Sequence, residues 1–181
     1  GQALSPFETQ PRLMPYAEKF RVHTVLLIDL SGSVTNDDGI ERVREAVAAF
    51  LEAASGTLTG AHYISIQAFD GRSELQEISG FKRDRAQLEE DLGAISCERE
   101  TLCVDPSTNL HGAIQEGAGL LEQQAAAAER EGVTFQENFL VVFTDGSDQA
   151  GVVGADELVE DLDGSVVRRL VVGLGEELDE A

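Results

Sequence analysis

The sequence predicts an α/β fold, with a mostly parallel, doubly wound central sheet and helices on both faces. Three observations lead there. Residues 22–28 and 138–144 are nearly unbroken apolar runs, as strands covered on both sides are. Stretches of helical period alternate with these and other strand-like stretches, the pattern of parallel strands joined by crossover helices. The chain has 181 residues, 42% of them apolar, which is enough for one domain with a real core and too little for two.

Taken in order, residues 1–20 carry Pro11 and Pro15 and no sustained period, and they read as an extended arm. Its Phe7, Leu13, Met14, Tyr16 and Phe20 are available to pack on the domain, which is expected over residues 21–181. The strand at 22–28 comes next. From Asp37 to Ala54 the apolar positions Ile40, Val43, Val47, Phe50, Leu51 and Ala54 have helical spacing, with Asn36, Asp37, Asp38 and Glu41 suited to an N-terminal turn. Gly56 and Gly60 bracket a turn. Residues 62–69 alternate like a strand, Asp70-Gly71 signals a hairpin, and 73–78 reads as an antiparallel partner. A short helix is expected over 84–92 and a long one over 109–130, with an irregular segment between them. Gly112, Gly117 and Gly119 weaken the long helix and are expected to permit its close approach to the sheet. A brief helix over 155–162 and a strand over 166–173 complete the set.

Charge excludes some partners. There are 34 acidic residues against 13 basic ones, a formal charge of −21. Nucleic acid needs clustered Lys and Arg, and an anionic membrane surface needs the same. No stretch approaches the roughly 20 apolar residues of a membrane helix. The chain opens Gly1-Gln2-Ala3 without Met, as expected for a processed chain or one lacking its targeting segment. Few lysines beside many arginines point to a GC-rich, bacterial source. Cys97 and Cys103 are the only cysteines, and their closeness favours a local disulfide over free thiols. Such a ring contributes roughly 2 kcal/mol in the loop-entropy account. Zinc would need further ligands from His23, His62 or His111. A disulfide implies an oxidising compartment: secreted, periplasmic or cell-surface.

The informative residues stand where strands end. Val25-Leu26-Leu27-Ile28 runs into Asp29, and Ser31 and Ser33 follow at alternate positions. A strand core gains nothing from three unpaired polar side chains, so this edge calls for another purpose. Val142-Phe143-Thr144 likewise runs into Asp145-Gly146. In open parallel sheets, ligands bind beyond the carboxyl ends of the strands, where both aspartates fall. Thr108 sits where the irregular segment turns into the long helix. Asp29, Ser31, Ser33, Thr108 and Asp145 together form an all-oxygen donor set of low charge. Hard cations such as Mg²⁺, Ca²⁺ or Mn²⁺ prefer oxygen, and five side chains leave room for an outside ligand.

Asp29-Leu30-Ser31-Gly32-Ser33, then Thr108, then Asp145-Gly146, resemble the metal-ion-dependent adhesion site of the von Willebrand factor type A family. The strands at 24–28 and 139–144 resemble its core, and the likeness covers about residues 21–175. The resemblance implies a six-stranded sheet in the order 3-2-1-4-5-6 with strand 3 antiparallel. It implies that Ser31, Ser33 and Thr108 bind the cation directly and that Asp29 and Asp145 often act through water. It also implies a ligand Glu or Asp from a partner protein. The family usually continues past the fifth strand, and Glu176–Ala181 reads as the beginning of that region; otherwise the N-terminal arm covers the surface left open.

Plainer readings stand beside these. Thr108 alone reads as an N-cap, Asp145-Gly146 as a turn pair, Asp148 as a solvated loop residue or a support to the site, and His111 as helix packing. Asp161 to Ser165 resembles a fragment of a calcium loop and is better read as a turn. A second function class is a Mg²⁺-dependent phosphohydrolase with Asp29 as nucleophile. Against it, Ser31 stands where the general acid would be, and the only lysines are Lys19 and Lys82. A third is a structural subunit of a larger complex.

Overall fold

The computed structural model describes residues 20–36, 38–57, 61–98 and 101–174, and of 55–57 the backbone only. The expected arm apart from Phe20, the expected helix-start Asp37, the turn residue Gly60 and the tail Glu176–Ala181 lie outside the described residues. The strands are β1 (Phe20–Asp29), β2 (His62–Phe69), β3 (Gln76–Lys82), β4 (Phe135–Thr144) and β5 (Arg168–Gly173). The helices are α1 (Gly32–Thr35), α2 (Gly39–Thr57), α3 (Arg85–Gly93), α4 (Leu110–Arg130) and α5 (Ala155–Leu162). Among the described residues the sheet is five-stranded in the order β3-β2-β1-β4-β5. Every pairing is parallel except β2 with β3. The predicted fold class and order of five strands are therefore observed.

The unbroken apolar run of β1 is explained by its position. Val25, Leu26, Leu27 and Ile28 are all 0% exposed, because each face of the strand meets a helical layer. Leu26 and Ile28 join Val43, Val47, Leu88 and Leu92 in a core beneath α2 and α3. Val25 and Leu27 join Ala113, Leu121, Leu140 and Val142 beneath α4. Burying each such side chain contributes about 1.5–3 kcal/mol, which makes β1 the anchor of the fold. Gly117 is what lets α4 sit this close, since a Cβ there would lie 2.8 Å from Leu140 Cδ1 and 3.2 Å from Leu27 Cδ1. Gly119 has open space around it and a Cβ at Gly112 would meet the Asn109 side chain, so of the three glycines the expected close approach to the sheet rests on Gly117.

Two of the boundaries that differ from the pattern reading have a local reason. The segment after β1 is two helices, not one. Asn36 is extended (φ −72°, ψ 148°) and ends α1, and Gly39 then starts α2 so close that a Cβ would fall 1.5 Å from the Val34 carbonyl oxygen. The antiparallel strand starts at Gln76 and not at residue 73, because Asp70 to Leu75 is occupied by side-chain-supported turns. Asp70 Oδ1 accepts from Arg72 N at 3.0 Å, and the Leu75 amide donates to Glu116 of α4 at 2.9 Å.

Candidate metal centre

β1 and β4 are adjacent and parallel, with Ile28 opposite Phe143, so Asp29 and Thr144 end them side by side. β1 leads on to β2 on one side and borders β4 on the other, so this is the point where the strand order reverses. Strand alternation puts Asp29 on the face of Val25 and Leu27, the face that α4 covers. Asp29 is 0% exposed. Its Oδ1 accepts from the Ser31 amide at 2.8 Å and its Oδ2 accepts from the Thr144 hydroxyl at 2.6 Å. The Ser31 and Ser33 hydroxyls are 3.4 Å apart, and Ser33 Oγ donates to Asp145 Oδ1 at 3.0 Å. A run of polar contacts therefore leads from Asp29 by the Ser31 amide to Ser31, and by the two serine hydroxyls to Asp145, from the buried interior to the exposed Ser33.

Thr108 comes to the same edge by its backbone. The Gly32 amide donates to the Pro106 carbonyl at 2.9 Å, tying the 106–108 segment to the loop after β1. The Thr108 carbonyl accepts from the amides of Gln149 and Ala150 at 2.8 and 3.0 Å, tying it to the loop after β4. Thr108 is 1% exposed, and its hydroxyl has no hydrogen-bond partner among the described residues. It is not the N-cap of α4; Asn109 is, with its side chain accepting from the Gly112 amide. Asp148 is not a solvated loop residue. Its Oδ1 accepts from the His111 amide at 3.0 Å and its Oδ2 from the Gly151 amide at 3.0 Å, so it seats the loop after β4 on the first turn of α4. His111 contributes by packing, its Nδ1 lying 3.0 Å from the Val153 carbonyl. Asp161 to Ser165 closes α5 in a turn, with Gly164 at φ +79°. Cys97 and Cys103 are disulfide-bonded, with Cα atoms 5.3 Å apart.

Sequence reasoning missed two supports of this site. Thr144 holds Asp29, and the signal for it was a hydroxyl just before Asp145 at the end of an apolar run. Asp70 follows directly on the last residue of β2, and it is also 0% exposed. It reads locally as half of a turn dipeptide, yet it organises the segment leading to Thr108.

The surroundings of Asp29 disfavour its ionised form. Burial pushes its carboxyl above the ordinary carboxylate range; the Ser31 and Thr144 hydrogen bonds oppose that, and the neighbouring Asp145 adds to it. Among the described residues neither Asp29 nor Asp145 has a basic partner. Nor, among them, does any group of three or more His, Cys, Asp or Glu gather to hold a metal. An ion here would rest on two carboxylates completed by hydroxyl oxygens. That donor set fits a hard divalent cation and no thiophilic one. Each hydroxyl has one proton to give and two lone pairs, so Ser33 can donate to Asp145 and still offer oxygen to an ion.

The family model for the von Willebrand factor type A domain matches residues 24–147, well over half the chain. The chain belongs to that family. No curated protein sequence matches this family member. Solved structures share its fold at low identity. An aerotolerance-related membrane protein from Bacteroides fragilis superposes with a TM-score of 0.62 at 20% identity, over 84% of this chain and 67% of that one. BatB from Bacteroides thetaiotaomicron gives 0.60 at 17%, over 84% and 66%. Proximal thread matrix protein 1 from the mussel byssus, with a zinc-occupied metal-ion-dependent adhesion site, gives 0.62 at 12%, over 86% and 38%. The type A chain thus spans at most about two thirds of these proteins, and little more than a third of the mussel one.

Proposed function

We propose that this type A domain is a non-enzymatic protein-binding module of the adhesion type. In this reading Asp29, Ser31, Ser33, Thr108 and Asp145 hold one divalent cation, Mg²⁺ or else Ca²⁺ or Mn²⁺, as a metal-ion-dependent adhesion site. A Glu or Asp side chain of a partner protein then completes the ion's coordination. The observation that carries the reading is the run of polar contacts from Asp29 to the Ser31 amide, from the Ser31 to the Ser33 hydroxyl and from Ser33 to Asp145 at the strand-order switch, with Asp29 buried and, among the described residues, without a basic partner. If Asp29 and Asp145 act through water, as the family resemblance implies, the ion's direct protein ligands are neutral hydroxyls and it keeps its attraction for a partner's carboxylate. The protein's part is to hold the donors in place: Thr144 fixes one oxygen of Asp29, and the Ser31 amide fixes the other.

The chain's negative charge opposes an acidic partner at long range. Salt confines that repulsion to about 8–10 Å, whereas the cation acts at contact. The disulfide supports a secreted, periplasmic or cell-surface location. A pilus adhesin, SpaC from Lactobacillus rhamnosus, is among the structures sharing the fold, consistent with such a role. The phosphohydrolase reading is disfavoured. Lys82 pairs with Asp91 and lies opposite Ile64, toward the amino end of β2 and away from Asp29. Lys19 lies outside the described residues.

Titration with Mn²⁺, followed by the loss of its free-ion electron paramagnetic resonance signal, tests the site directly. One ion per chain is expected, displaced by Mg²⁺ and absent in Asp29→Ala and Asp145→Ala. Stoichiometric binding that survives both substitutions would remove the reading.

A further inference from the structure

The segment 97–109, between α3 and α4, carries more internal restraint than a connection needs. It is tied at both ends to the turn after β2. Asp70, buried at the end of β2, receives the Arg72 guanidinium on both oxygens, Nε at 2.9 Å on Oδ1 and Nη2 at 2.8 Å on Oδ2. The same Oδ2 accepts from the amides of Val104 and Asp105 at 3.1 and 3.3 Å. Arg72 Nη2 also donates to the Thr101 carbonyl at 3.0 Å, inside the ring that the Cys97–Cys103 disulfide closes. On the far side of Thr108, the Asn109 amide donates to the Asp70 carbonyl at 3.0 Å, and Asn109 Nδ2 donates to the Arg72 carbonyl at 2.9 Å. Residues 101, 104 and 105 are thus held by the side chains of one ion pair and Asn109 by the main-chain carbonyls of the same two residues, and Thr108 is suspended between them. Inside the ring, Leu102 is 6% exposed and seated in the core with Leu88, Leu92 and Ile95, so the disulfide draws the strap onto packed residues. Cys103 itself takes a left-handed backbone, φ +54°, which a β-substituted residue adopts only when its surroundings over-determine it.

We infer that the Asp70–Arg72 pair and the Cys97–Cys103 disulfide act together as a positioning device for the Thr108 hydroxyl, and so set the affinity of the site for its cation. The inference rests on the cation-site reading. A buried ion pair adds little net stability compared with well-packed apolar residues, but its fork geometry fixes direction. Here the directions it fixes are those of the Thr101 carbonyl and the Val104 and Asp105 amides on the approach to Thr108, while the backbone of the same turn holds Asn109 beyond it. Arg72 and the cysteines are positioning residues: they reach the ion only through Thr108.

Mn²⁺ affinity in a mutant cycle tests this. Arg72→Met removes the fork, and Cys97→Ser/Cys103→Ser removes the ring. Either is expected to weaken Mn²⁺ binding about tenfold or more, the usual effect of losing a residue that orients a ligand. Thr108→Ala weakens binding by itself. In the Thr108→Ala background, Arg72→Met or the cysteine pair is expected to add less than about twofold, because the group it positions is already gone. Amide hydrogen exchange at 103–109, measured without metal, should rise in both positioning variants. Wild-type affinity in both positioning variants, or an equal further loss on top of Thr108→Ala, overturns the inference while leaving the cation site intact. Absence of Mn²⁺ binding in the unmodified protein overturns the site itself. If Arg72→Met does not fold, the cysteine variant carries the same comparison.

Discussion

Asp29→Asn separates what the fold requires from what a cation site requires. Asp29 is fully buried, and burial raises its folded pKa above that of the unfolded chain, with Asp145 adding to the effect. A carboxylate in that state is a cost to the metal-free fold. An asparagine keeps the shape and keeps an oxygen for the Ser31 amide, while the Thr144 hydroxyl rotates to accept from the new amide. The variant is therefore expected to be at least as stable as wild type in EDTA. The sign of the pH dependence follows from the raised pKa. Stability from the protonated carboxyl is fully present below the unfolded value and is lost as pH rises through the folded one, so wild type in EDTA weakens toward neutral pH. Asp29→Asn removes that slope.

Cation binding should reverse the order. An ion that binds only the folded state adds RT ln(1 + [L]/Kd), about 2.7 kcal/mol at a hundredfold excess over Kd. For a chain of this size each kcal/mol moves Tm by about 2–4 °C. Wild type should thus gain about 5–11 °C from saturating Mg²⁺, and Asp29→Asn should gain nothing. Differential scanning calorimetry of both proteins at pH 5 and 7.5, in EDTA and in Mg²⁺, supplies the comparison. A variant that melts several degrees below wild type in EDTA would make Asp29 a structural residue. A variant that keeps the Mg²⁺ increment would show that the ion sits elsewhere.

Other expectations follow from the packing and the buried histidines. Gly117→Ala forces a Cβ against Leu140 and Leu27 and should cost about 1–3 kcal/mol, partly offset by helix propensity. Gly119→Ala meets open space on the same helix and should stabilise by up to about 1 kcal/mol, so chemical denaturation should give opposite signs for the two. His62 is depressed from 6.5 to about 4 by burial, with His23 contributing. The unfolded chain takes up this proton near 6.5 and the folded one only near 4, so stability should fall by about 1–2 kcal/mol, allowing for solvent screening, as pH drops through that window. His62→Gln should flatten the slope, and an unchanged slope would assign it to other groups. Thr144→Val deletes the 2.6 Å hydrogen bond to Asp29 and should weaken Mn²⁺ binding without changing its stoichiometry of one ion per chain.

The difference between what could and could not be read in the chain is one of contact range. The strand carrying Asp29 was legible because all four residues before it are apolar, and a strand buried on both faces leaves no other pattern. The same logic placed Asp145, and the short motif of Asp29, Ser31 and Ser33 lies within one turn of chain. Boundaries failed where side chains competed with the backbone. Asp70 used its carboxylate to hold Arg72, Val104 and Asp105, which turned an apparent hairpin into a longer connection. Partners 34 and 35 residues distant leave no periodic trace, and neither does the link from Thr144 to Asp29 across a separation of 115. The proposed donors Asp29 and Asp145 are thus announced by the strands that end there, whereas the groups that hold them answer to three-dimensional neighbours. That is why Thr108, the one proposed ligand off the strands and their adjoining loops, also read, taken alone, as a helix cap. Three-dimensional contacts separate the two readings: Asn109 takes the capping role, its side chain accepting from Gly112, while the Thr108 carbonyl is tied to the loop after β4.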